Sequence, residues 1–195
     1  MNKQPEVTAA TRKRIIDAFW KEYKEKPIAK ITISSITKSA GIHRSTFYEY
    51  FKDIYDVLEQ LETDLLEQLK IEFLPIVRKN VSRLKDDTLN DLNEFIGTTL
   101  SFFTTYGDLL YHLSGSSGNP AFRKKLYKLF KANFTIMHEI PENSPHADYF
   151  SAFIFAVIMN NLEYWFEHQD SISMKEVITL SYKLLGDGLK KGFLY

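Results

Sequence analysis

Ile31-Thr32-Ile33-Ser34-Ser35-Ile36-Thr37-Lys38-Ser39-Ala40-Gly41-Ile42-His43-Arg44-Ser45-Thr46-Phe47-Tyr48-Glu49-Tyr50-Phe51-Lys52 decides how this chain is read. Thr32 is a strong N-cap, because its hydroxyl can accept a bond from an orphan amide one turn on. Ile33, Ile36 and Ala40 then recur at helical spacing and give a narrow apolar face. Gly41 follows the last of them, where a left-handed backbone suits a residue without Cβ. A second short helix follows Ile42, with Phe47 and Phe51 four apart on its inner side. Arg44, Ser45, Thr46 and Tyr48 lie mainly off that stripe. Helix, glycine turn and helix with a polar outer face form the pattern of a DNA-reading helix-turn-helix.

The charge distribution around this stretch agrees. The formal net charge of the 195 residues is +0, yet residues 1–53 hold 11 Lys/Arg against 6 Asp/Glu and residues 54–195 hold 14 against 19. A basic small domain beside an acidic larger one keeps a phosphate-attracting field local. The reading is therefore all-α, with a three-helix DNA-binding domain at 1–53 and a larger helical domain at 54–195, whose regulatory and dimerisation roles are what the resemblance given below implies.

Upstream, a helix is expected from about Thr8 or Thr11 to Lys24 or Lys26, after a frayed polar start. Ile15, Ile16, Phe19, Trp20 and Tyr23 form its buried face. Arg12, Lys13 and Arg14 crowd its first turn, the unfavourable end for cations in the helix dipole. They read either as a solvated basic patch or as phosphate contacts. Downstream, Leu58, Leu61, Leu65, Leu69 and Phe73 stripe a long helix from about Ile54 to Leu74, which Pro75 kinks or stops. Residues 76–88 read as a short helix and a loop.

The regulatory half continues in long helices. One spans Leu89 to Tyr106, broken by Gly107 and followed by a short segment at 108–113. Ser114 to Asn119 reads as a flexible loop, and Pro120 opens a helix running to about Glu139. Its Arg123-Lys124-Lys125 reads as a solvated face. After a turn at 141–145, a helix to His168 is apolar nearly all round and so needs cover on nearly all sides. With the last helix, from about Met174 to Gly192, it forms a hairpin. Two such hairpins make a four-helix bundle between protomers. Val157 and Ile178 are bundle-facing positions, and periodicity does not say which of them meets the partner.

Composition removes several functions. Cys is 0, so disulfides, thiolate metal sites and thiol nucleophiles are excluded, in keeping with a reducing cytoplasm. The opening residues carry no signal-peptide pattern, and Asn160, Asn161 and Glu163 in the most apolar run argue against a membrane span. The five His are isolated, with no metal-ligand spacing, and no glycine-rich phosphate loop follows a strand. Neither an enzyme nor a cofactor is expected.

The run I-T-x-x-x-I-x-x-x-A-G-I-x-x-x-T-F-Y-x-Y-F-K, with Arg12 to Phe19 upstream, resembles the N-terminal domain of TetR-family transcriptional regulators. The resemblance implies a homodimer that binds a near-palindromic operator and leaves it when a small ligand binds. Arg44 carries the planar fork that bonds guanine bidentately, and Ser45 and Thr46 suit base edges near it. The resemblance places residues 44–46 at the groove and Tyr48 and Lys52 on phosphates. Thr32 and Thr37 are further phosphate candidates, and His43 and Tyr50 complete the set. His43 stands where the family often has a small capping residue, Ile54 where it often has Lys. Glu49 and Asp53 add negative charge nearby.

A ligand pocket in the regulatory half is expected from its aromatic helices. Phe95, Thr99, Phe102, Phe103 and Tyr106 would supply one wall, Tyr127, Phe130 and Phe134 a second, and Phe153, Val157 and Tyr164 a third. Asn160 and Asn161 would anchor a ligand or bond across the dimer, and residues 114–118 would gate the entrance. No Arg or Lys falls among them, which favours a neutral apolar or aromatic ligand. The competing expectation is a helical small-molecule-binding or protein-interaction dimer with little useful DNA affinity.

Overall fold

The computed structural model describes residues 5–75, 78, 89–116, 118–137 and 144–192, so the expected helix and loop at 76–88 and most of the turn at 141–145 fall outside the described residues. Eight α-helices are described: α1 (Pro5–Tyr23), α2 (Ile33–Ala40), α3 (Arg44–Tyr48), α4 (Ile54–Gln68), α5 (Leu89–Ser114), α6 (Pro120–Met137), α7 (Pro145–Glu167) and α8 (Met174–Gly192). The described residues contain no strand. The chain divides into two compact units, residues 1–64 and 65–195.

In the first unit, Ile15, Phe19, Ile36, Phe47 and Val57 are fully buried, with Phe51 1% exposed. Each such side chain contributes about 1.5–3 kcal/mol of burial free energy. The start and stop of α2 are local chemistry. Thr32 Oγ1 accepts the Ser35 amide at 3.1 Å, and the Thr32 amide reaches Ser35 Oγ at 3.4 Å, a capping box. At the far end Gly41 adopts φ 61, ψ 44, and the Ile42 amide bonds back to the Thr37 carbonyl at 3.0 Å. α1 begins at Pro5, earlier than expected, and a short 3-10 turn at Ile28–Lys30 bridges it to α2.

α3 is only five residues long. The chain nonetheless keeps turning, since the amides of Tyr50 and Phe51 both bond to the Phe47 carbonyl at 3.0 Å. That turn brings the Phe51 ring to 5.8 Å from Phe47. α4 starts on reciprocal caps: Asp53 Oδ1 accepts the Asp56 amide at 2.8 Å, and Asp56 Oδ2 accepts the Lys52 amide at 2.7 Å. The bond from the Lys52 amide holds the Asp56 carboxyl below the usual carboxylate range.

In the second unit, the helix from residue 54 does not simply stop at Pro75. It widens into a π-turn over Leu69–Phe73, closed by the Leu74 amide on the Leu69 carbonyl. A proline ring clashes with the carbonyl four residues back, and the wider turn moves that carbonyl aside. α5 corrects a second expectation, because it runs through Gly107 to Ser114 without a break. A Cβ at Gly107 would stand 3.4 Å from the Phe166 ring, an ordinary contact, so α7 lies close to the α5 backbone at this point. Tyr111 completes that contact, stacked on Phe166 at 4.7 Å.

The segment after α5 is tied down, not loose. Gly115 and Asn119 amides bond to the carbonyls of Tyr111 and Leu113, each at 2.9 Å. Arg123 Nη1 donates to the Ser114 carbonyl at 3.0 Å and to Glu163 Oε1 at 3.1 Å, so Arg123 leaves the expected solvated face. α6 packs on α7, and α5 packs on α6, α7, α8 and the π-turn. The α7–α8 connector is closed by Trp165 Nε1 on the Ile172 carbonyl at 2.9 Å. Ser173 and Glu176 cap α8 reciprocally, and the Ser173 bonds hold the Glu176 carboxyl low.

Candidate nucleic-acid interface

The buried Phe47 fixes which side of α3 faces outward. Arg44, Ser45, Tyr48 and Glu49 are exposed, and Thr46 is half-buried. Arg44 Nη2 donates to Tyr48 Oη at 3.0 Å, and the guanidinium lies 5.7 Å from the centre of that ring. One turn of helix separates the two residues, so the cation is laid along the outer face. An exposed cation–π contact is worth about 0.5–1 kcal/mol, less than a bidentate guanine pair at about 1–3 kcal/mol.

The starts of α2, α3 and α4 come together at an open groove of about 340 Å³. Thr32, Ser34, Arg44, Asp53 and Tyr55 line it, with Ile28 and Ile31 at its floor. The amino ends of α2 and α4 carry partial positive charge, which favours phosphate oxygens there. Asp53 works against this, yet its carboxylate is held on the Asp56 amide. Ser34 and the 61%-exposed Tyr55 line this groove although neither was among the sequence candidates, because the meeting of the two helix starts there is not local. An exposed tyrosine in the first turn of an otherwise amphipathic helix was the available signal.

The remaining sequence candidates divide. Lys52 is exposed, Tyr50 half-buried, and His43 exposed with no side-chain cap on α3, as its departure from the family pattern suggested. Thr32 is exposed although its hydroxyl serves the cap. Thr37 is 8% exposed and donates to the Ser34 carbonyl, so it points away from the outer face.

Of the two readings of Arg12, Lys13 and Arg14, the structure supplies a third. Arg12 binds Asp64 Oδ2 at 2.9 Å and Gln60 Oε1 at 3.1 Å, joining α1 to α4. Lys13 pairs with Asp17 at 2.6 Å. Arg14 Nη2 donates to the Ala40 carbonyl and to the Gly41 carbonyl at 3.1 Å, sealing the carboxyl end of α2. Because α1 begins at Pro5, these three residues lie well inside the helix and clear of its dipole end, so the expected penalty does not arise.

In the regulatory unit, the expected pocket residues fall into separate groups. Phe102 stacks on Phe73 of the π-turn at 4.0 Å and touches Phe103 and Tyr106 at 5.6 and 5.1 Å. Phe95 meets Tyr182 of α8 at 5.6 Å. Tyr127 and Phe130 of α6 pack on Phe155 of α7 at 5.3 and 5.5 Å, and Phe130 on Phe134 at 5.6 Å. Phe155 and Tyr182 were not among the sequence candidates, and Phe73 was read only as part of the long helix's apolar stripe.

Asn161 Nδ2 donates to Ser181 Oγ at 2.8 Å and ties α7 to α8 within the protomer. Val157 is half-buried. Phe153, Asn160 and Tyr164 are exposed on one stripe of α7 with Tyr149 and Ala156. Leu180 and Leu184 of α8 are exposed as well, at 49% and 77%. Thr99 is 7% exposed, and its hydroxyl has no hydrogen-bond partner among the described residues. An orphaned buried hydroxyl costs about 1–3 kcal/mol.

Two family models match. Residues 15–61 fit the description "Bacterial regulatory proteins, tetR family", and residues 90–187 fit "Transcriptional regulator C-terminal region". No curated protein matches the chain. Among solved structures, the fatty acid degradation regulator FadR from Bacillus halodurans is similar at a TM-score of 0.60 and 19% identity, covering 95% of this chain and 96% of that one. A TetR transcriptional regulator from Streptococcus agalactiae gives 0.59 at 20% identity over 89% and 92%. FadR from Bacillus subtilis, in complex with stearoyl-CoA, gives 0.58 at 19% identity over 88% and 96%. The chain thus belongs to the TetR family of bacterial transcriptional regulators, and is a DNA-binding regulator, not an enzyme.

Proposed function

We propose that this regulator is a homodimeric repressor of a near-palindromic operator, released by a small ligand, with residues 1–53 as the reading head and 54–195 as the regulatory and dimerisation body. One observation carries the DNA part: Arg44 and Tyr48 lie together on the exposed side of a helix whose other side is locked by Phe47. Arg44, Ser45 and Thr46 read base edges. Tyr48, Lys52 and the groove residues Thr32, Ser34 and Tyr55 hold phosphates and set the register.

Selection of bound sequences from a random DNA pool tests this. A two-fold symmetric consensus is the expected outcome. A folded protein that enriches no sequence at low salt is the helical ligand-binding or interaction dimer instead. On the selected operator, Arg44→Ala should cost about 1–3 kcal/mol and relax preference at one base pair per half-site. Lys52→Ala should weaken all sequences alike and reduce the salt slope by about one phosphate per half-site.

For the dimer, the support is the exposed α7 stripe with Leu180 and Leu184 of α8. For the ligand, it is the aromatic side chains of α5 and α6, with no cation among them, which favour a neutral apolar or aromatic compound. A ligand of this kind must bind the DNA-free state more tightly, since equal affinity shifts nothing. The Bacillus subtilis relative binds stearoyl-CoA. Stabilisation of the present protein by stearoyl-CoA, with no neutral compound active, would replace the neutral ligand by an acyl thioester.

A further inference from the structure

We infer that the Thr99 hydroxyl is the polar anchor of the ligand, and that the group it bonds is uncharged. This rests on the reading above that the regulatory unit binds a small molecule. Threonines in helices usually satisfy their hydroxyls on the carbonyl one turn back. Thr104 and Thr105, on the same helix, do so at 2.8 and 3.0 Å, and Thr11, Thr63 and Thr179 do so elsewhere. Thr99 does not, although it is buried to the same degree as Phe102. A buried polar group left unpaired is retained against a standing penalty, and a partner absent from the protein itself removes that penalty.

The neighbours on α5 define that partner. One turn either side of Thr99 stand Phe95, Ile96, Phe102 and Phe103, all apolar. A water there would lack the two or more polar contacts that hold buried water, so a larger molecule is the better fit. These α5 neighbours offer an ionised group no counter-charge, so an uncharged group is the better fit. What remains is an apolar or aromatic body bearing a ketone, ester, amide or hydroxyl. The same helix turn carries Phe102, stacked on Phe73 of the π-turn at 4.0 Å. A ligand seated on Thr99 therefore lies beside the aromatic pair that holds the end of the long helix.

The test uses the full-length protein, matched probes and two variants. Acetophenone against ethylbenzene, and benzylacetone against butylbenzene, differ in one carbonyl oxygen. Wild type and Thr99→Ser should bind each ketone about tenfold more tightly than its hydrocarbon, a typical worth for one buried hydrogen bond. Thr99→Val should erase that preference while keeping hydrocarbon binding. Without ligand, Thr99→Val should also melt about 2–4 °C higher, since it removes an unpaired hydroxyl at nearly equal volume. A lower melting temperature for Thr99→Val means the hydroxyl already has a partner, and overturns the inference. Equal ketone preference in wild type and Thr99→Val overturns it too, while leaving a ligand site standing. If none of the four probes binds wild type, the inference and the ligand reading beneath it both fall.

Discussion

Phe47→Ala should cost about 3–5 kcal/mol and abolish operator binding. The ring is fully buried in the small N-terminal unit, at 5.7 Å from Tyr48 and 5.8 Å from Phe51. Its loss opens a cavity under the short α3, which has no side-chain cap to hold it otherwise. A small unit has little stability in reserve, so this change removes a large part of it. Denaturant melts of wild type and variant measure the loss. Sedimentation should still show a dimer, because the exposed α7 and α8 residues are untouched. A change below about 1 kcal/mol would mean that the cavity refills and that α3 is not held from beneath.

The second large effect is expected from a charge on the outer stripe of α7. Phe153 is 49% exposed and sits between Tyr149, which it stacks on at 6.4 Å, and Ala156. In a two-fold dimer a single substitution enters the interface twice. Phe153→Asp would then place two carboxylates in an apolar contact, each short of partners. Sedimentation at micromolar concentration should shift from dimer to monomer, and operator affinity should fall by about a hundredfold or more as the second half-site is lost. Ile178→Asp makes a contrast, because Ile178 is 7% exposed within its own protomer and its change should unfold the chain. A Phe153→Asp protein that remains a tight dimer would remove α7 from the interface.

What the sequence disclosed follows the reach of each interaction. Thr32 and Gly41 mark the ends of α2 correctly because caps and left-handed turns act over three or four residues. The apolar pairs Ile36–Ala40 and Phe47–Phe51 set the inner faces for the same reason. Gly107 misleads because one glycine inside a helix costs only about 1 kcal/mol, which the packing of α5 on its neighbours outweighs. Arg12 and Arg14 looked available to phosphate because their partners, Asp64 and the carbonyls of Ala40 and Gly41, come from outside α1, whereas Lys13 pairs with Asp17 on its own helix. In the body, a helix apolar nearly all round does not announce which side meets its own protomer. Hence Asn161, Phe155 and Val157 turn inward to differing degrees while Phe153, Asn160 and Tyr164 turn out.

The π-turn at Leu69–Phe73 has a consequence for the register of the buried stripe that runs through it. Leu65 and Leu69 are buried one α-turn apart, but the next buried position is Leu74, five residues on. An ideal α-helix advances about 100° per residue, so a straight continuation would have rotated Leu74 off the buried stripe by that angle. The turn absorbs one surplus residue and restores the phase. A deletion within 69–73 can thus be healed by reverting to plain α-helix, whereas a deletion between 58 and 68 has nothing to heal it. Homologous chains of different length should therefore differ here by single residues, and keep their spacing upstream.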